Sequence, residues 1–129
     1  MDVKVAKTAG FCFGVKRAVE EVYKVAETTK GTVYTYGPII HNEEVVSDLE
    51  KKGVKVLETE EDLKNLTEGT VIIRSHGVPK YIYELLEERN ISYEDFTCPF
   101  VLKIHRIVEK ESAQGKHIVI VGDPNHPEV

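Results

Sequence analysis

The sequence predicts an α/β fold, a mostly parallel sheet flanked by helices, and three observations carry that expectation. Short runs rich in Val, Ile and Tyr alternate with longer segments along the whole chain. The longer segments repeat their apolar residues at three- and four-residue steps. Gly, Pro or Asn punctuates most of the junctions between the two kinds of segment.

Val3–Lys7 leans towards a strand. Phe13–Thr28 is expected to be a helix, with Val15, Ala18, Val19, Val22, Val25 and Ala26 on one face and Lys16, Arg17, Glu20, Glu21, Lys24 and Glu27 on the other. Val33–Tyr36 is a strand, broken by Gly37 and Pro38. Glu43–Lys52 is the next helix, with Asn42 as its N-cap, acids in its first turn and Gly53 as its stop. Val54–Leu57 is a strand, and Leu63 and Leu66 belong to a short acidic helix or turn. Val71–Arg74 reads as a buried strand. Pro79–Arg89 is a helix with Pro at its first position and Ile82, Leu85 and Leu86 as its apolar stripe. Ile91–Phe96 is a weaker strand. Pro99–Gln114 is a helix with Val101, Leu102, Ile107 and Val108 turned inward, stopped by Gly115. His117–Val121 closes the series as a strand, HIVIV.

No low-complexity linker divides the chain, and the one boundary candidate falls near Thr97–Pro99. The expected organisation is a first α/β lobe over residues 1–96 and the opening of a second over 97–129.

Composition narrows the function classes. With 129 residues, 41% hydrophobic and 30% charged, the chain can bury a real core. A net charge of −5 argues against a broad nucleic-acid surface, but a few local donors can still bind a small anion. No apolar run approaches the roughly 20 residues of a membrane helix, and the first residues lack the apolar core of a signal peptide. Two cysteines do not make the disulfide framework of a small secreted protein, so a reducing cytoplasm is expected. In that setting the thiols are buried, reactive or metal-bound.

Five loops that follow expected strands each carry Cys or His: Cys12, His41, His76, Cys98 and His126, the last accompanied by Glu128. Taken singly, such a Cys is a small buried hydrophobe and such a His a surface residue; His105, within a helix, and His117, opening a strand, are read that way. Taken together, the five share one placement. In a parallel sheet those loops gather at the carboxyl ends of the strands, where helix N-termini offer free N–H groups. Cys12 and Cys98 each precede a helix, where the thiolate is favoured. Zinc held by two Cys and two His is possible, although no C-x-x-C pair is present. An iron–sulfur cluster also takes thiolates, from spacings that need not be local. Alternatively the histidines serve as donors to an anionic substrate. Neither GxxxxGK[ST] nor GxGxxG occurs.

The stretches GFCFGVKRAVE, YTYGPIIHN, IIRSHGV, TCPFV and GDPNHPEV, in that order, closely resemble the 4-hydroxy-3-methylbut-2-enyl diphosphate reductases, and the likeness runs along the whole chain. The resemblance implies that Cys12 and Cys98 are two of three cysteine ligands of a 4Fe–4S cluster. It implies that His41, His76 and His126 contact the diphosphate and hydroxyl sides of the substrate, and that Glu128 supplies protons. The implied reaction is the last step of the methylerythritol phosphate route to isoprenoids. It removes the C4 hydroxyl of an allylic diphosphate with two electrons and two protons, drawn through ferredoxin or flavodoxin, and gives isopentenyl and dimethylallyl diphosphate.

Members of that family are about twice as long, with three similar lobes around the cluster. The third cluster cysteine has no counterpart here. A fragment is therefore expected: the first lobe plus the start of the second, inactive or nearly so by itself, with residues 1–12 candidates for pairing with a C-terminal lobe. The competing readings are a non-catalytic α/β module binding at most an anion or zinc, and a thiol redox protein, which the lack of C-x-x-C disfavours.

Overall fold

The computed structural model describes residues 2–126 and 128–129; Met1, at the head of the 1–12 segment, and Pro127, inside the NHPEV stretch, lie outside the described residues. The elements run α1 (Phe13–Thr28), β1 (Val33–Tyr36), α2 (Glu43–Lys51), β2 (Lys55–Leu57), α3 (Glu60–Asn65), β3 (Thr70–Ile73), α4 (Lys80–Glu88), β4 (Ser92–Asp95) and α5 (Pro99–Ala113). The four strands form one parallel sheet in the order β2-β1-β3-β4.

Local chemistry sets the helix starts. The Asn42 side chain accepts the Val45 N–H at 3.0 Å at the head of α2. Thr59 and Asp62 cap α3 reciprocally, each side chain taking the other's backbone N–H. Pro79 stands as the cap of α4, so the first helical residue is Lys80 and not the proline.

Alternation along the strands divides the core into two layers. Ile72 and Val33 face Ala18 and Val22 of α1 and Leu49 of α2. Val71 and Ile73 face Leu63 of α3 and Ile82 and Leu86 of α4. β3 is buried on both faces, as a central parallel strand requires. Leu86 is fully buried, so Leu86→Ala should lower unfolding free energy by about 2–5 kcal/mol, read from a urea titration. A change under 1 kcal/mol would mean that α4 does not seal this layer.

The layers also fix a topological switch. The helix after β1 packs on one face of the sheet and the helix after β3 on the other. The two strands are neighbours, so a crevice opens between their carboxyl ends.

Two expected strands do not form. Residues 3–7 and 117–121 have no ladder partner, and Val3, Val5, Val119 and Val121 are 77%, 78%, 73% and 95% exposed. A β-favouring composition makes a strand only where a neighbour accepts its backbone bonds. α5 forms where expected, but of its predicted inward residues only Val101 is buried; Ile107 is exposed, as are Phe100 and Ile104. The sheet ends at β4, so this helix has little to pack on. Among the described residues no helix is long and apolar enough to cross a membrane.

Candidate functional site

Cys12 is the N-cap residue of α1 and Cys98 that of α5. Neither side chain makes a capping hydrogen bond, and neither helix has an acid in its first turn. Both helix ends therefore keep unmatched N–H groups, which favour negative charge nearby. Cys12 is exposed and Cys98 half-buried.

Gly14 brings the two ends together. It is buried in the first turn of α1, and a Cβ built on it would lie 2.5 Å from Cys98 Sγ. The sulfur of Cys98 thus packs directly on the helix that Cys12 caps. Its loop is tied down as well. The Cys98 N–H donates to Ser75 O at 2.9 Å. The preceding residue, Thr97, is fully buried and donates both its N–H and its hydroxyl to the Asp95 carboxylate. The other carboxylate oxygen accepts from the Tyr83 hydroxyl at 3.1 Å. Burial above all, with Asp95 alongside, pushes that hydroxyl up to about 12, so it remains a donor.

The histidines gather across the switch crevice. The His41 and His76 rings lie 5.4 Å apart between centroids, and His126 is 6.4 Å from His76. His126 Nδ1 accepts the Glu128 N–H at 3.2 Å, so the neutral ring carries its proton on Nε2. His76 Nδ1 is buried and has no hydrogen-bond partner among the described residues. Burial holds the His76 imidazole below the ordinary histidine range, and the Arg74 guanidinium adds to this while the Glu128 carboxylate opposes it. His76 is consequently a neutral donor or acceptor near pH 7.

Two groups thus stand at the carboxyl side of the sheet: the Cys98 thiol against the helix end that Cys12 caps, and a cluster of His41, His76, His126 and Glu128. The Cys98–Ser75 bond joins the loops that carry them. The two thiols could hold two positions of a thiolate-ligated metal centre, since soft metals and iron–sulfur clusters take thiolates. Among the described residues no group of three or more His, Cys, Asp or Glu is arranged to hold a metal ion by itself, so a centre here needs further ligands.

Sequence reasoning missed four participants. Arg74 follows directly on β3 with its guanidinium laid over Gly37, where a Cβ would come 2.5 Å from Nη1. Gly14 has no signal beyond its place in GFCFG. Asp95 reads as one acid among 22 Asp and Glu. His105, set aside as an ordinary helix residue, lies with its Cε1 2.9 Å from a Cβ built on Gly77, beside the SHG turn.

The family described as LytB protein matches residues 3–129. The chain is 54% identical to the 4-hydroxy-3-methylbut-2-enyl diphosphate reductase of Caldanaerobacter subterraneus subsp. tengcongensis, over 100% of this chain and 45% of that protein. The reductase of Clostridioides difficile is 43% identical, with 100% and 46% covered. A solved structure of (E)-4-hydroxy-3-methyl-but-2-enyl diphosphate reductase superposes with a TM-score of 0.82 at 43% identity, over 98% of this chain and 44% of that one. The E-1-hydroxy-2-methyl-but-2-enyl-4-diphosphate reductase of Plasmodium falciparum gives 0.85 at 32% identity, over 95% and 38%. The chain spans about half the length of the curated relatives it matches.

Proposed function

Because this chain belongs to the LytB protein family, we propose that it is the N-terminal portion of a 4-hydroxy-3-methylbut-2-enyl diphosphate reductase. In this reading the enzyme reductively removes the C4 hydroxyl of its allylic diphosphate and releases isopentenyl and dimethylallyl diphosphate, in the cytoplasm. Residues 1–12 and 97–129 complete their packing with lobes outside this chain, which accounts for the bare valines at 3, 5, 119 and 121. The chain by itself is not expected to turn over substrate.

Cys12 and Cys98 would hold a 4Fe–4S cluster together with a third cysteine from outside the chain. Bound there, the cluster would supply the electrons, received from ferredoxin or flavodoxin, and Lewis acidity towards the leaving hydroxyl. The chain's own residues bind, orient and protonate. Neutral His76 and the Nε2–H of His126 donate to substrate oxygens, and His41 reaches the same crevice from the β1 loop. Helix ends and imidazoles offset the diphosphate charge without a basic surface, in keeping with a net charge of −5. Glu128, whose charge reaches His76, gives its carboxyl proton to the C4 oxygen, so that water departs.

The observation that carries the reading is the packing of the Cys98 sulfur on the helix capped by Cys12, with the histidine cluster one loop away. The test is anaerobic reconstitution with iron and sulfide in a full-length context, followed by visible absorption. Cys12→Ser should remove most of the cluster absorption and the turnover with it. Unchanged absorption and turnover would take Cys12 out of the ligand set.

A further inference from the structure

We propose that Arg74 is the fixed positive charge of the anion site, its guanidinium spanning the crevice between the loops that bear His41 and His76. The proposal deepens the reading of this site as one for a diphosphate and rests on it.

Arg74 follows directly on β3, and Gly37 directly on β1, the two strands that flank the topological switch. The guanidinium fills the space above Gly37, where φ is +71° and any side chain would strike Nη1. Arg74 therefore lies across the crevice, two residues before His76 and beside the turn that leads to His41. Its Nε is buried without a hydrogen-bond partner, and no carboxylate pairs with the guanidinium among the described residues. What sets Arg74 apart is the burial of that Nε, since the ion pairs of the described residues, at Lys16, Lys24, Lys64, Lys80 and Lys116, all lie on the surface. A half-buried cation with no anion nearby is unfavourable unless a ligand supplies one. The planar guanidinium matches two oxygens of a phosphate at once.

The charge arithmetic of the crevice agrees. The groups acting on His76 are Arg74, Glu128, His41 and His126. Burial and Arg74 keep that imidazole neutral at pH 7, so His76 does not bring the positive charge a diphosphate needs. Arg74 brings it, and because guanidinium does not titrate, it brings it at every working pH.

The test titrates inorganic pyrophosphate into this chain at pH 6 and pH 8, following the histidine ring signals by NMR, for the unaltered sequence, Arg74→Gln and Arg74→Lys. Arg74→Gln should bind about tenfold more weakly at pH 8. The loss should be smaller at pH 6, because His76, relieved of the neighbouring charge, titrates higher and partly replaces it. Arg74→Lys, which keeps the charge but not the two-oxygen fork, should recover part of the affinity and keep the lower His76 midpoint. Equal binding by the unaltered chain and Arg74→Gln would overturn the role of Arg74 alone. Equal impairment of the Gln and Lys variants would also overturn it, because the positive charge that Lys retains would then contribute nothing. No response of the unaltered chain at millimolar pyrophosphate would defeat the diphosphate reading of these loops and this proposal together.

Discussion

Glu128→Gln, in a full-length context, should lower turnover by about 100- to 10,000-fold, the range that general acid catalysis contributes. The side chain keeps its size and its hydrogen-bonding reach, and the Glu128 backbone N–H still donates to His126 Nδ1 at 3.2 Å. What disappears is a proton that can be given up. Cluster absorption should be unchanged. Pyrophosphate affinity should hold or rise, because a negative charge leaves the neighbourhood of His76. Full turnover by the variant would exclude Glu128 as the acid. A rise in KM at unchanged kcat would make it a binding residue instead.

Gly14→Ala should empty the thiol site without touching a thiol. Its new Cβ would sit 2.5 Å from Cys98 Sγ and 3.0 Å from Cys98 Cβ, far inside contact distance. Either the sulfur rotates to another χ1 or α1 and α5 move apart; both displace the sulfur from the end of α1. Overpacking of this kind costs about 1–3 kcal/mol, which shifts the melting temperature but leaves a folded chain. Reconstitution in a full-length context should then fail to nearly the extent seen with Cys98→Ser, while circular dichroism remains native. Full cluster absorption with an unshifted melt would show that Cys98 does not need its present place beside α1.

Both predictions depend on residues brought together from separate loops, and the sequence reaches them unequally. Val71 to Ile73 announce a central strand, and α1 is bounded as its periodicity suggests, because burial on both faces and one-sided burial leave different patterns. The Cys and His of the strand-end loops are legible for the same reason: chain direction in a parallel sheet sends those loops to one side. The segments 3–7 and 117–121 have equally good strand composition and form none. Composition states that a backbone would pair, and pairing needs a second backbone. The inward residues of α5 fail likewise, since an apolar stripe does not name what covers it.

From the sequence by itself came the α/β class, the alternation of elements and the identity of the chemistry-bearing loops, because hydrophobic period and turn residues are local properties of the chain. Only the tertiary structure decided that Cys98 rests on Gly14, that Arg74 crosses to Gly37 and that His76 lies between His41 and His126. Those contacts join residues tens of positions apart. They are fixed by strand order, and in particular by β1 and β3 becoming neighbours with β2 outside them.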